Sequence, residues 1–241
     1  MVLLIEVSYK GALSLQIKGV LFDLDGTLVN TSELIIKTFE QTIMTHLGKN
    51  PSQDEITRYF GLPLKECLRK FDEEKADDMM AFYREYNTKH HDLLIKPFPR
   101  ISEALSMLEA DGVKMAVVTS KKLPMAERGL ACFDLGKFFS GIIGFDECSK
   151  HKPDPEPMLK GAELLGLAPE QCICVGDSPY DLQSGRTAGC MTAAVKWTYF
   201  NWEQMLALAS PDFILQTLPD LVGIVKNLNQ KGGKGEKRPT Q

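Results

Sequence analysis

The chain has 241 residues, a formal net charge of −4 and an apolar content of 44%, which is ample for the core of one large domain or two small ones. Its 28 Lys and Arg residues form no basic stripe, which speaks against nucleic-acid binding. Its apolar runs are far shorter than the roughly 20 residues that a membrane helix needs, which speaks against a membrane protein.

The N-terminus and the cysteines favour a cytoplasmic protein. Residues 1–6 have no basic region before their apolar residues, and no convincing signal-peptide cleavage site follows. The six cysteines are scattered and form no Cys-x-x-Cys pair. Cys172 and Cys174 alternate with an apolar residue, so we expect buried, reduced cysteines rather than zinc ligands.

In chain order, short apolar runs alternate with helical patterns. Residues 101–110 are predicted to be helical with Gly112 as a stop, and Gly166 can end a helix over residues 157–165. The alternation predicts an α/β fold, in which a mainly parallel sheet carries helices on both faces. The predicted strands lie near residues 19–23, 113–119, 140–144, 171–176, 191–195 and 212–215.

One interval, residues 31–96, has helical patterns but no strand pattern. Ile35, Phe39 and Ile43 recur at four-residue spacing, and further stripes follow, so these helices need a shared core. We therefore predict a helical bundle inserted into the α/β core. The predicted boundaries are an N-terminal extension at 1–17, a core at 18–30 and 97–229, the insertion at 31–96 and a disordered tail at 230–241.

The N-terminal extension has its own weak pattern. Leu13, Leu15 and Ile17 alternate with other residues, which is compatible with an edge strand and equally with an unpacked segment. The sequence leaves both interpretations open.

The most informative motif is the octet at residues 20–27, in which an apolar run ends in Asp23, skips one residue to Asp25 and turns at Gly26. Carboxylates at the carboxyl end of a buried parallel strand lie where open α/β sheets bind ligands. Because strand side chains repeat every second residue, both acids can face one pocket, one as nucleophile and the other as proton donor and acceptor. The alternative is a solvated Asp-Gly turn.

Three later segments have comparable positions. Thr119 and Ser120 follow a second apolar run, Lys152 lies in a proline-rich loop, and a third apolar run ends in Asp177, with Asp181 four residues on. A helix cap is the alternative role for Thr119, and an exposed surface position is the alternative for Lys152. The order of acid pair, hydroxyl, lysine and acid pair argues against a chance match.

These four motifs make the chain resemble the haloacid dehalogenase (HAD) superfamily of phosphohydrolases, from about residue 18 to residue 225. The resemblance implies a Rossmann-like three-layer core. It also implies that residues 31–96, directly after the first motif, form a helical cap. Such a cap would close over the active site and exclude water.

The resemblance also implies roles for the motif residues. Asp23 would attack phosphorus and form an aspartyl-phosphate. Asp25 would protonate the leaving group and then deprotonate the water that frees the enzyme. Thr119 and the backbone N–H of Ser120 would bind phosphate oxygens, and Lys152 would neutralise charge.

Four carboxylates around a phosphate require a cation, because each close like-charge pair costs on the order of 4 kcal/mol at an effective dielectric of 20. Oxygen ligands suit Mg²⁺ rather than zinc. As the resemblance implies, one oxygen of Asp23, the backbone carbonyl of Asp25 and the carboxylate of Asp177 would bind Mg²⁺. Asp181 would stand behind these ligands or bind through water. Gly26 would permit an unusual backbone angle beside the phosphate.

The choice of substrate also depends on resemblance. Asp25 argues against dehalogenation, since haloacid dehalogenases lack this acid and need no Mg²⁺. Within the superfamily, the chain resembles the subgroup of phosphoglycolate phosphatases, HAD-type inorganic pyrophosphatases and β-phosphoglucomutases. Thr27 stands where the mutases often carry Val, and Asn30 replaces an Asp common in phosphoglycolate phosphatases. Four stretches are most similar to the pyrophosphatase, namely residues 26–31, residues 33–36, residues 83–87 with Lys89 and His90 following, and residues 152–157.

We therefore expect hydrolysis of inorganic pyrophosphate. The alternative is a small organic phosphomonoester such as 2-phosphoglycolate. A mutase and a non-catalytic phospholigand sensor are weaker alternatives, and the sensor predicts a broken motif where none is broken. Because one chain supplies every catalytic group, we expect a monomer.

Five further polar residues are candidates of lower rank. His90 and His91 are interpreted as a solvated helix end rather than a metal pair, because adjacent helical positions point about 100° apart. Arg58, Arg69 and Arg84 lie in the insertion and are candidates for contact with an anionic substrate.

Overall fold

The computed structural model describes residues 16–60 and 62–232. Leu13 and Leu15, on which the possible edge strand of the N-terminal extension depends, lie outside the described residues. Ile17, at the start of the described residues, is buried, and its backbone exchanges two hydrogen bonds with the side chain of Asn229.

The described residues form eight strands, namely β1 (Gly19–Phe22), β2 (Val29–Asn30), β3 (Lys96–Pro97), β4 (Lys114–Val118), β5 (Ile142–Ile143), β6 (Cys172–Gly176), β7 (Met191–Val195) and β8 (Phe213–Leu215). Six of them form one parallel sheet in the order β5–β4–β1–β6–β7–β8. Each of the six predicted strands is present in this sheet, so the predicted α/β class is confirmed.

The same residues form ten α-helices, namely α1 (Ser32–Leu47), α2 (Gln53–Thr57), α3 (Leu64–Arg69), α4 (Ala76–Leu94), α5 (Ile101–Ala110), α6 (Leu123–Ala131), α7 (Glu156–Leu165), α8 (Pro179–Ala188), α9 (Trp202–Ala209) and α10 (Pro219–Gly232). Helices α5, α6 and α10 cover one face of the sheet, and α7, α8 and α9 cover the other. The core therefore has three layers.

Strand β1 is the centre of the sheet, between β4 and β6. Its side chains alternate between the two faces: Val20 and Phe22 belong to the larger hydrophobic cluster, and Leu21 belongs to the cluster beneath α7. A parallel strand buried on both faces has a continuous apolar sequence, which is why residues 19–22 show no polar position. The carboxyl ends of β4, β1 and β6 lie side by side, and loops that follow them share one edge of the sheet.

Helices α1–α4 have a hydrophobic cluster of their own. This cluster is separate from those that pack on the sheet, and it includes Phe39, Ile43, Leu68, Met79 and Tyr83, which are all buried. The four-residue spacing in α1 is therefore explained by packing against α4 within this cluster. The exact boundaries of the insertion, residues 31 and 96, stay a prediction.

A two-stranded ribbon joins the inserted helices to the core. Strands β2 and β3 pair antiparallel, with Val29 opposite Pro97 and Asn30 opposite Lys96. The sequence did not predict these strands, because two residues are too few to show an alternating pattern. The chain leaves the core through β2 and returns to it through β3, so the two connections to the inserted helices lie side by side.

The C-terminal segment differs from the prediction at its start. Helix α10 ends at Gly232, so residues 230–232 are helical rather than disordered. The helix extends this far because Leu221, Val222 and Val225 anchor it on the sheet. The remainder of the predicted tail lies outside the described residues. Among the helices of the described residues, none is long and apolar enough to span a membrane.

Candidate active site

All eight predicted site residues line one cavity of about 510 Å³ at the carboxyl edge of the sheet. They come from every loop that the sequence indicated: the β1 loop, the β4 loop, the loop between β5 and α7, the β6 loop and the first turn of α8. They are Asp23, Asp25, Gly26, Thr119, Ser120, Lys152, Asp177 and Asp181. The structure therefore brings together residues that are up to 158 positions apart in the chain.

Lys152 lies at the centre of the hydrogen bonds on the acidic side of the cavity. Its Nζ donates hydrogen bonds to Asp23 Oδ1 at 2.8 Å, to Asp181 Oδ1 at 2.6 Å and to the carbonyl of Val118 at 2.7 Å. The side chain is only 5% exposed, so the alternative of a surface lysine is wrong. Burial by itself lowers the pKa of Lys152, but the two carboxylates outweigh this and raise it, so the ammonium stays charged.

The carboxylates around Lys152 carry more negative charge than the lysine balances. Burial raises the pKa of Asp23 to about 7, against the opposing effect of Lys152. Burial also raises the pKa of Asp177 well above its usual range, and the charges of Asp23 and Asp181 raise it further. Two neighbouring acids with raised pKa values mark a place where a cation would be strongly favoured.

The donor set fits a hard divalent cation. Carboxylate oxygens of Asp23, Asp177 and Asp181 lie within 4.8 Å of one another. Asp181, however, uses Oδ1 for Lys152 and Oδ2 for the backbone N–H and hydroxyl of Ser178. Asp23 and Asp177 therefore offer the free oxygens, and an oxygen-only set suits Mg²⁺.

Gly26 is required by the position of Asp177. Its φ is +83°, a conformation that favours glycine, and a Cβ at this position would lie 2.2 Å from Asp177 Oδ2. The glycine therefore allows the β1 loop and the carboxylate that follows β6 to approach closely, and this approach places Asp177 next to the acid pair.

Thr119 lies at the end of β4 with its backbone N–H bonded to the carbonyl of Ile143 at 2.9 Å. Its hydroxyl accepts the backbone N–H of Lys121 at 3.2 Å, which leaves the O–H free to donate into the cavity. The N-cap residue of α6 is Lys122, so the alternative that Thr119 caps this helix is wrong.

The sequence analysis missed one lysine of the site. Lys121 Nζ lies 2.7 Å from Asp25 Oδ1, and the two side chains are only 14% and 26% exposed. The acid pair is thus held by two lysines, Lys152 on Asp23 and Lys121 on Asp25. Lys121 could have been identified from its position, because it lies two residues after Thr119 in the loop that was predicted to bind phosphate.

The prediction of a solvated helix end at His90 and His91 was wrong for His91. His91 is fully buried between α4 and α6, and its ring contacts Gly129. Its Nδ1 lies 2.8 Å from Asp92 Oδ1. The last turn of α4 packs against the core, and a glycine in α6 makes room for the imidazole.

A second group of possible metal ligands consists of His91, Asp92 and Cys132. In this group Arg128 forms a two-point ion pair with Asp92. Its Nε lies 2.9 Å from Oδ1, and its Nη2 donates to Oδ2 at 3.0 Å. A carboxylate that is already neutralised by a guanidinium is a poor cation ligand. Arg128 would therefore compete with a cation for Asp92, and the expectation that the cysteines are not zinc ligands stays a prediction.

Comparison with known proteins bears directly on this site. The sequence model of the family described as haloacid dehalogenase-like hydrolase matches residues 20–195, which include every residue of the predicted site. The chain belongs to the haloacid dehalogenase-like hydrolase family. The predicted resemblance is confirmed, and this HAD enzyme is a hydrolase of phosphoric esters or anhydrides.

Two similar curated proteins carry the name pyrophosphatase PpaX. The one from Listeria monocytogenes is 41% identical over 213 residues, which is 88% of this chain and 98% of the relative. The one from Bacillus cereus is 38% identical over 216 residues, which is 90% of this chain and 100% of the relative.

Solved structures share the fold at lower identity. A haloacid dehalogenase-like hydrolase from Streptococcus pneumoniae superposes with a TM-score of 0.78 at 26% identity, over 86% of this chain and 98% of the other. A predicted phosphoglycolate phosphatase from Haemophilus somnus has a TM-score of 0.77 at 24% identity, over 87% of this chain and 98% of the other. The second likeness supports the fold alone.

Proposed function

We propose that this HAD enzyme is a Mg²⁺-dependent inorganic pyrophosphatase that works through an aspartyl-phosphate on Asp23. The observation that carries the chemistry is the pair Asp23 and Asp25, each held by its own lysine and both open to one cavity. The support for pyrophosphate is the similarity to relatives of that name over nearly the whole chain.

Asp23 would be the nucleophile. Its backbone N–H donates to the carbonyl of Val175, which fixes it at the end of β1. Lys152 donates a hydrogen bond to Oδ1 and orients the carboxylate, so that one oxygen could bind Mg²⁺ while the other attacks phosphorus. The charged Lys152 and the hydroxyl of Thr119 would stabilise the negative charge on the phosphoryl oxygens as the new bond forms.

Asp25 would move the protons. It would give a proton to the leaving oxygen and then take one from the water that cleaves the aspartyl-phosphate. The bond from Lys121 fixes its carboxyl group at the mouth of the same cavity. Fixing the proton donor beside the leaving group removes part of the orientational cost of the transition state.

Asp23, the backbone carbonyl of Asp25 and Asp177 would hold Mg²⁺, with Asp181 behind them. When bound, this ion would neutralise the carboxylates and the phosphoryl oxygens. The contribution of the chain is a fixed set of oxygens: Gly26 brings Asp177 close, and Ser178 and Lys152 orient Asp181.

The inserted helices would act as a cap. Side chains from α1, α3 and α4 line the cavity opposite the sheet. The ribbon of β2 and β3 would be the hinge, since it carries both crossings between residues 31–96 and the core. Closure of these helices would exclude water from the aspartyl-phosphate during the first step.

The test is phosphate release from pyrophosphate and from 2-phosphoglycolate, measured in parallel with Mg²⁺ and with EDTA. We expect pyrophosphate to exceed 2-phosphoglycolate at least tenfold in kcat/KM, about 1.4 kcal/mol in transition-state binding, and EDTA to abolish both activities. Preference for 2-phosphoglycolate would contradict the substrate but not the chemistry. Activity that persists in EDTA would contradict the metal site.

A further inference from the structure

The cavity extends well beyond the catalytic groups, to helix α4. The residues of α4 that line it recur every three or four positions and therefore form one face of the helix. They are Met80, Tyr83, Arg84, Asn87 and Thr88. Along this face the side chains change from apolar, inside the cluster of the inserted helices, to polar, towards the end of α4 that meets the core.

This face of α4 shares its cavity with the proton donor. The C-terminal end of α4 packs against α6, where Arg128 Nη1 donates to the carbonyl of Thr88 at 3.1 Å and the ring of His91 contacts Gly129. Helix α6 follows directly on the loop that carries Lys121, the partner of Asp25. Arg84 and Asn87 lie on the preceding turn of α4 and line the same cavity as Asp25 and Lys121.

Arg84 differs from the other cations of the cavity. Four lysines line it, and each pairs with a carboxylate: Lys65 with Asp77, Lys121 with Asp25, Lys122 with Asp146, and Lys152 with Asp23 and Asp181. Arg84 is exposed and has no carboxylate partner within residues 16–60 and 62–232. A guanidinium with five donors therefore faces the cavity without a protein anion to neutralise it.

We propose that Arg84 and Asn87, with Lys121 opposite them, form a subsite for a leaving group that carries negative charge. This inference rests on the proposed phosphohydrolase function. The leaving group must lie beside Asp25, because Asp25 would protonate it. The groups that face this point are a free guanidinium, an amide and an ammonium, which together favour a phosphate or a carboxylate over a neutral alcohol.

The subsite explains how one set of catalytic residues can select a substrate. The phosphoryl group that is transferred meets Asp23, Thr119 and Lys152 in every substrate. The part that leaves meets α4, which belongs to the inserted helices. Both the second phosphate of pyrophosphate and the carboxylate of 2-phosphoglycolate satisfy the subsite, whereas an uncharged aryl group does not.

The experiment compares Arg84→Gln with Arg58→Gln. Arg58 is an ideal control, because it is also an exposed arginine of the inserted helices but does not line the cavity. The substrates are pyrophosphate, 2-phosphoglycolate and p-nitrophenyl phosphate, whose leaving group has no anionic substituent. The readout is the ratio of kcat/KM for each anionic substrate to kcat/KM for p-nitrophenyl phosphate.

We expect Arg84→Gln to lower this ratio at least tenfold, mainly through KM, and Arg84→Lys to restore part of it. Arg58→Gln should leave the ratio within twofold of the wild type. The proposal is overturned if the ratio in Arg84→Gln stays within twofold, or if Arg58→Gln lowers it equally.

Failure of the proposed function gives a different result. A wild type that hydrolyses only p-nitrophenyl phosphate contradicts the pyrophosphatase proposal. In that case the subsite is tested by measuring the constant for inhibition of p-nitrophenyl phosphate hydrolysis by pyrophosphate. A tenfold rise in Arg84→Gln supports the subsite, and an unchanged constant overturns it. If the wild type is inactive on all three, the Kd of pyrophosphate from calorimetry gives the same comparison.

Discussion

The two walls of the cavity are built in opposite ways. On the sheet side, Asp23, Lys152 and Asp181 are almost fully buried and hydrogen-bonded to one another. On the side of the inserted helices, Arg84 is exposed and unpaired among the described residues, and aromatic residues such as Tyr59 and Phe60 are only half-buried. Charged groups that are fixed in advance stabilise the charge that develops in the transition state. A loosely packed wall of charged and aromatic groups is suited to accepting different leaving groups.

The largest expected effect is on the sheet side. Asp23→Asn keeps the shape of the nucleophile but removes the charge that attacks phosphorus, so we expect kcat to fall by roughly a thousandfold or more. Steady-state phosphate release measures the loss, and an unchanged circular dichroism spectrum shows that the fold is retained. Residual activity above a few per cent would contradict the assignment of Asp23 as nucleophile.

Lys152→Gln tests how strongly the sheet wall depends on its central lysine. Removing one member of a buried ion pair leaves uncompensated charge, so we expect a loss of about 3 kcal/mol in the free energy of unfolding in EDTA. Urea unfolding measures it. Lys37→Gln is the control, because Lys37 forms an exposed pair with Glu33 and should change stability by less than about 0.5 kcal/mol.

Gly26→Ala tests the close approach between the β1 loop and Asp177. The new Cβ would displace the Asp177 carboxylate, so the Mg²⁺ concentration for half-maximal activity should rise about tenfold or more, as for a disturbed ligand shell. Gly48→Ala is the control: its φ is also positive, but no atom lies within 4 Å of the new Cβ. It should cost about 1 kcal/mol of stability without changing the Mg²⁺ requirement. Equal Mg²⁺ requirements in the two variants would refute the explanation.

The smallest effect concerns the contact between the inserted helices and the core. Burial lowers the pKa of His91, while Asp92, Lys121 and Asp25 act on it with mixed signs. Below about pH 6.5 the unfolded chain takes up a proton that folded His91 does not, so stability falls as the pH drops from 6.5 towards the folded pKa.

The measurement is the Tm between pH 7.5 and pH 5.5. His91→Gln should show a smaller decrease than the wild type, whereas His90→Gln, one residue away and half-buried, should show the same decrease as the wild type. Identical slopes in all three proteins would mean that His91 does not contribute to the pH dependence.

The sequence by itself determined the sheet and the edge of the sheet at which the candidate site lies. Strands such as residues 19–22 and 172–176 are continuous apolar runs, and Asp23, Thr119 and Asp177 follow such runs directly. Residues at strand ends are brought together by any parallel sheet, so local patterns were sufficient to predict one site.

Only the tertiary structure decided the contacts that no local pattern encodes. The pair of Lys121 with Asp25 joins residues 96 positions apart, the ribbon of β2 and β3 joins two-residue strands, and the burial of His91 depends on Gly129 in another helix. The placement of Arg84 in the same cavity as Asp25 likewise follows from the packing of α4 on α6. Helical periodicity predicts that such a helix has a buried face, but the side chains across from that face are set by packing between distant segments.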